Sequence, residues 1–217
     1  MNEQQVRHAE PEREVVSGHF PAWTAIRAVP RLYVMDGFAS DAEVERVLTL
    51  TRDLDAWRQR GANVKRDATG ASFELPVAAD EVLGALVART YDMLGVENAV
   101  NFSVRFRHYR TNDSHPLHTD TYTINGAHLV ATALLCLTSP EEGGSTDFPS
   151  ASPPVRVPYR RGRMVSWLNL VPAGTEDPQA AHAGAAVTAG DKITITNFIY
   201  ADPHCRLVRE GPACLRP

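Results

Sequence analysis

The chain has 217 residues, 43% of them hydrophobic, enough for one sizeable core but short for two independent domains. Its 26 acidic and 22 basic residues leave a formal charge of −4, which excludes the broad cationic surface that nucleic-acid binding needs. No apolar run approaches the ~18 residues of a membrane span, residues 1–17 lack the apolar stretch of a signal peptide, and Cys136, Cys205 and Cys214 form no C-x-x-C pair, so a reduced, cytoplasmic protein without nucleic-acid or membrane partners is expected.

Residues 1–20 carry many charges and few large apolar groups, so they cannot offset their ordering entropy alone, and a flexible tail is expected there. A single domain over 21–217 follows. Residues 31–35 read as a short strand broken by Gly37 to Ser40. Ser40 and Glu43 form a capping-box pattern, and Val44, Val47, Leu48 and Thr51 recur at helical spacing, which predicts a helix over 41–53. Val82, Leu83, Leu86, Val87 and Met93, closed by Gly95, predict a second helix over 79–94. Between them, 55–78 reads as loops and short edge strands.

After Asn101 the period changes to two. Phe102, Val104, Phe106 and His108 alternate with Ser103, Arg105, Arg107 and Tyr109, as in a half-buried strand. The unbroken apolar run 129–138 predicts a buried central strand, and 163–170 and 192–200 predict two more. The turn Ala189-Gly190-Asp191 is expected to fold 186–188 back onto the last strand as a hairpin. Helices first and antiparallel strands afterwards indicate a mainly β member of the α+β class, a double-sheet β-barrel with N-terminal helices packed on one sheet.

The chemistry-bearing stretch is H-P-L-H-T-D at 115–120. His118 and Asp120 stand two residues apart, and on an extended backbone such side chains leave the same face, so an imidazole nitrogen and a carboxylate oxygen converge. Among the remaining histidines, His182 in Q-A-A-H-A-G is the best candidate for a third ligand. Two histidines and a carboxylate leave one face of an octahedral iron(II) open. By itself H-x-D is common and usually carries no metal. Lys192 opens the last strand: it is either a solvated residue beside the turn or a buried cation that needs an anion. Asp113, Arg105, Arg107, Thr121 and Trp167 lie near the motif or on flanking strands and are weaker candidates for substrate contact. His108 reads as a packed histidine, and the run 160–163 as a surface turn.

Taken in order, R-H-Y-R at 107–110, H-T-D at 118–120, E-G-G-S-T-D-F-P at 142–149, R-G-R-M-V-S-W at 161–167 and H-A-G-A-A-V-T-A-G-D-K at 182–192 resemble the iron(II)- and 2-oxoglutarate-dependent dioxygenases, in their prolyl 4-hydroxylase-like branch. The resemblance covers residues 101–200 closely. It implies a double-stranded β-helix (jelly-roll) core, with His118, Asp120 and His182 as iron ligands and Lys192 as partner of the distal carboxylate of 2-oxoglutarate. It further implies Tyr109 in the cosubstrate pocket, a hydroxyl from Thr132 there, O2 as oxidant, and ascorbate as an accessory reductant. His115 departs from the aromatic residue often found three before the first ligand. The block 142–149 reads as structural, with Gly143 and Gly144 in a turn and Phe148 packed into the sheet.

The resemblance therefore implies a catalytic domain that hydroxylates an unactivated C–H bond of an amino acid or related small biosynthetic intermediate, free or linked to a carrier or peptide. The absence of a recognisable peptide-binding module favours a free or carrier-tethered molecule. Two other outcomes are compatible with the residues: the same cofactors ending in desaturation, cyclisation or epoxidation, or a non-catalytic ligand-binding β-barrel. Retention of Asp120 argues against halogenation, because related halogenases lack that carboxylate.

Overall fold

The computed structural model describes residues 13–16, 23–26, 30–52, 54–96 and 102–210. The chain opens with β1 (Arg13–Val16), β2 (Trp23–Ile26) and β3 (Leu32–Met35), an antiparallel meander. β1 falls within the segment expected to be a tail, whose other residues lie outside the described ones. Next come α1 (Asp41–Thr51), α2 (Leu54–Gln59), β4 (Lys65–Asp67), β5 (Gly70–Pro76) and α3 (Glu81–Leu94). The β region then runs through β6 (Ser103–Tyr109), β7 (His115–His118), β8 (Thr123–Ile124), β9 (Ala127–Cys136), β10 (Glu142–Gly143), β11 (Thr146–Phe148) and β12 (Val155–Val157). It ends with β13 (Met164–Leu168), β14 (His182–Gly184), β15 (Val187–Ala189), β16 (Lys192–Ala201) and a short helix, α4 (Arg206–Glu210).

Both long helices begin at a side-chain cap; α1 stops at Thr51, two residues short of the expected end, and α3 starts at Glu81, two residues later than expected. The Ser40 hydroxyl accepts from the Glu43 N–H at 3.3 Å while the Glu43 carboxylate accepts from the Ser40 N–H at 2.8 Å, so the capping box is closed. The Asp80 carboxylate accepts from Val82 and Leu83 N–H groups at the start of α3, and Gly95 stops it in the left-handed region at φ 67°.

A ten-stranded sheet runs β1-β2-β3-β13-β9-β16-β6-β5-β4, with β8 attached to β9, and a four-stranded sheet runs β12-β11-β14-β7. They are the two walls of a jelly roll. On the outer face of the large sheet, Val44, Val47, Leu83, Leu86 and Met93 from α1 and α3 pack on Val104, Phe106, Leu135 and Ile195, all of them buried. A smaller apolar cluster of Leu32, Phe148, Val155, Val165 and Trp167 closes one end of the space between the sheets. The rest of that space is polar and holds the candidate site.

Four expectations need correction. Residues 55–59, read as loop or edge strand, belong to the helix α2, too short for an apolar stripe to announce itself. β15 does not pair back onto β16; its partner is β10, with Glu142 opposite Ala189 and Gly143 opposite Val187. Gly143 permits this because its φ of 78° is left-handed and a Cβ there would meet the Ala186 carbonyl oxygen at 2.2 Å. Phe102 is 82% exposed, so the buried alternation begins at Val104. The run 160–163 is also more than a turn. Arg163 is buried and makes a two-point contact with Asp36 at 2.7 and 2.9 Å, and Arg161 ties Asp41 and Glu45 of α1 to the barrel.

Candidate active site

β7 and β14 are neighbours in the small sheet, with His182 directly opposite His118. That register brings together residues 64 positions apart in the chain, and their rings stand 4.3 Å apart. Each imidazole is oriented by its own backbone turn: His118 Nδ1 lies 2.8 Å from the Pro116 carbonyl, and His182 Nδ1 lies 3.0 Å from that of Ala180. With Nδ1–H donating to a carbonyl, Nε2 is the lone-pair nitrogen in both rings. The two Nε2 atoms face opposite oxygens of Asp120, at 3.6 Å from Oδ1 for His118 and 3.7 Å from Oδ2 for His182. All three ligand atoms lie within 4.8 Å of one another. Burial pushes the His182 imidazole down, which favours the neutral ring a metal requires.

Asp120 is 5% exposed, and its carboxylate is held from behind. The Thr132 hydroxyl donates to Oδ2 at 2.8 Å and accepts from the Asn169 side-chain amide at 3.0 Å. Thr132 was expected to meet the cosubstrate. It lines the same cavity, but its proton is committed to Asp120, so it acts as an outer support of the triad. Asn169 is itself fixed by backbone bonds to Val130 and Asp177. Trp167 packs its ring 4.6 Å from that of His182, and Phe148, buried as anticipated, stands behind both.

Across the cavity, Lys192 sits opposite Tyr109 in the β16–β6 ladder and is 2% exposed. Its ammonium lies 5.0 Å from the Tyr109 ring centre and 4.4 Å from that of Tyr159. Among the described residues, no carboxylate pairs with it. Burial therefore lowers its pKa to about 8. The solvated alternative for Lys192 is excluded by this burial, and a buried cation facing a cavity without an anion is the environment that an anionic ligand completes. Gly144 and Gly184 keep the approach open: a Cβ at either would come within 3.4 Å of Lys192 Cδ and 3.6 Å of its Nζ, respectively. The donor set and the uncompensated ammonium thus fit iron(II) and 2-oxoglutarate.

The cavity lining also includes Arg105, Arg107, His115 and Tyr122. His115 is half-buried, with its ring edge-on to His118 at 4.4 Å, and burial followed by the charge of Arg107 lowers its pKa to about 4. Of the weaker candidates, Arg105, Arg107 and Trp167 line the cavity, whereas Thr121 does not and Asp113 bonds to Arg66 and to the Arg110 N–H. His108 stands on the opposite face from Tyr109, with Nε2 3.4 Å from Asp191. Sequence reasoning missed Tyr159 and Asn169, which belong to no motif and are identified only by the strands they face.

No family model matches the chain. It is 25% identical over 222 residues to probable prolyl 4-hydroxylase 4 of Arabidopsis thaliana, covering 87% of this chain and 74% of that protein. The viral collagen prolyl hydroxylase of Paramecium Bursaria Chlorella virus-1, solved with 2-oxoglutarate, superposes with a TM-score of 0.65 at 21% identity, over 78% of this chain and 95% of that one. A prolyl hydroxylase of Trichoplax adhaerens, solved with a hypoxia-inducible-factor peptide, superposes at 0.55 and 16% identity, over 80% of this chain and 85% of that one. The solved structures establish the jelly-roll fold, and the likeness to prolyl 4-hydroxylases runs along most of the sequence. With the assembled His118, Asp120 and His182 cluster, these findings identify an iron(II)- and 2-oxoglutarate-dependent dioxygenase that resembles the prolyl 4-hydroxylases.

Proposed function

We propose that this enzyme hydroxylates a C–H bond of an amino acid, proline or a proline-like residue foremost, either free or within a peptide. The observation that carries the reading is the convergence of His118, Asp120 and His182 on one point, opposite a buried lysine that lacks an anion. The names of relatives such as prolyl 4-hydroxylases 2 and 4 of Arabidopsis thaliana support the substrate class, and the peptide bound to the Trichoplax enzyme supports a peptide as one form of it.

In this proposal His118 and His182 bind iron(II) through Nε2 and Asp120 through its carboxylate, while Lys192 pairs with the distal carboxylate of 2-oxoglutarate. Tyr109 and Tyr159 flank that ammonium with their ring faces and hold it in place as the anion arrives. Thr132, held by Asn169, keeps the Asp120 carboxylate aimed. Trp167 and Phe148 form the dry wall behind His182, which excludes water from the reacting side. Bound iron(II) and 2-oxoglutarate supply the oxidising power: one O2 is consumed, one of its atoms enters the substrate as hydroxyl, and the other leaves in succinate with release of carbon dioxide.

The test is a screen of free proline, other amino acids and proline-containing peptides for substrate-stimulated succinate release, with mass analysis of the product. The proposal expects stimulation by at least one of them and a product heavier by one oxygen. Succinate release that no amino acid or peptide stimulates would contradict it.

A further inference from the structure

The inner face of β6 presents Arg105, Arg107 and Tyr109 to the cavity. The two arginines are not equivalent. Arg105 is neutralised by Glu74, with Nε 2.6 Å from Oε1, and it lies over the Phe198 ring. Arg107 has neutral partners only: its Nη1 donates to the Thr69 hydroxyl at 3.1 Å and carbonyl at 3.4 Å, and it hydrogen-bonds the Tyr109 phenol. Among the described residues no carboxylate lies within ion-pair distance of Arg107.

In the filled site Arg107 is the cavity-facing cation without a direct carboxylate partner. Iron(II) and the 2-oxoglutarate dianion cancel, Lys192 and Asp120 cancel, and Arg105 and Glu74 cancel. Arg107 remains on the wall of the cavity that the triad also lines, with donors unspent; Asp67 is the carboxylate nearest to it in the network, reached only through the Thr69 hydroxyl, which donates to it at 2.6 Å. A positive wall raises the local concentration of anions, and a guanidinium fork matches a carboxylate in shape.

We infer that Arg107 is a substrate-binding residue and that the substrate bears a carboxylate close to the carbon that is oxidised. This rests on the proposed amino-acid hydroxylase activity and narrows it. The carboxylate has two sources, the α-carboxyl of a free amino acid or peptide C-terminus, and an acidic side chain.

The experiment uses the anaerobic protein loaded with iron(II) and 2-oxoglutarate, whose visible charge-transfer band reports what enters the cavity. L-proline is compared with L-prolinamide, a C-terminal prolyl tripeptide with its amide, and an internal glutamyl-prolyl peptide, blocked at both ends, with its glutaminyl counterpart. In the wild type at least one acid perturbs the band about tenfold more tightly than its neutral partner. In Arg107→Gln that preference collapses while the 2-oxoglutarate titration is unchanged, and Arg107→Lys keeps part of it. The first two pairs responding identifies an α-carboxyl, and the third pair an acidic side chain.

Equal response to acid and neutral partner in every pair overturns the inference while leaving the cofactor reading standing. So does a preference that survives in Arg107→Gln, or a loss of 2-oxoglutarate binding in that variant, which would assign Arg107 to the cosubstrate. A wild type that shows no 2-oxoglutarate band overturns the cofactor reading and this inference with it.

Discussion

On one side of β6, β9 and β16 stand Val104, Phe106, Leu135 and Ile195, buried against α1 and α3; on the other stand Arg107, Tyr109, Thr132 and Lys192, facing a cavity. The same strands supply both sets by alternation, so one period-two pattern writes a core and a site at once. The outer face is free to maximise apolar burial. The inner face keeps a buried ammonium and a buried carboxylate apart, an arrangement that costs stability until ligands arrive. Substitutions on the two faces should therefore fail in opposite ways.

The largest contrast is expected from His182→Ala, which should lose iron and reduce succinate production to background, with its melting temperature near that of the wild type. Phe106→Ala on the outer face should instead destabilise by about 3 to 5 kcal/mol, read in a denaturant titration. At low temperature the Phe106→Ala protein should still bind 2-oxoglutarate.

Lys192→Met should move the two properties apart most visibly. Because the folded pKa of Lys192, about 8, lies below its ordinary 10.5, burying the charged form costs stability at neutral pH. That cost disappears as pH rises from about 8 towards 10.5, so this group makes the wild type gain stability across that window. Replacement by methionine should stabilise the protein at pH 7 by on the order of 2 to 3 kcal/mol, and abolish measurable 2-oxoglutarate affinity. In the wild type, 2-oxoglutarate affinity should fall as pH rises through about 8, where the free ammonium loses its proton; an affinity flat across that range would dissociate Lys192 from the anion.

A smaller effect is expected from Thr132→Val, which removes the hydroxyl behind Asp120 and leaves its shape. It should weaken metal affinity by about 10- to 100-fold with little change in 2-oxoglutarate affinity measured at saturating metal. Smallest is Ser40→Ala, which opens the capping box of α1 at a cost of about 1 kcal/mol, read by thermal melting, with activity unchanged.

The outer face was largely legible in the sequence. Helical spacing in α1 and α3, the Ser40 start, the Gly95 stop and the long apolar run of β9 are local signals, and local signals survive without coordinates. His118 and Asp120 were legible for the same reason, and His182 and Lys192 because the ordered motifs resembled a known family. What escaped depends on register. The pairing of β15 with β10 follows from where Gly143 lets two backbones meet. The role of Thr132 follows from which side of β9 faces Asp120. Tyr159 and Asn169 enter through pairings far along the chain, and nothing in their neighbouring residues announces it. Arg107 was visible as a weaker candidate for substrate contact, but that its direct hydrogen-bond partners are neutral while Arg105 pairs with Glu74 emerged only from the structure.

The most direct test mixes the protein with iron(II) and 2-oxoglutarate under nitrogen and follows the visible absorption. The wild type should develop a weak charge-transfer band that saturates at one 2-oxoglutarate per chain, and Asp120→Ala, His182→Ala and Lys192→Met should not. A wild type without the band, or an undiminished band in the Asp120 and His182 variants, would mean that these side chains do not hold the metal.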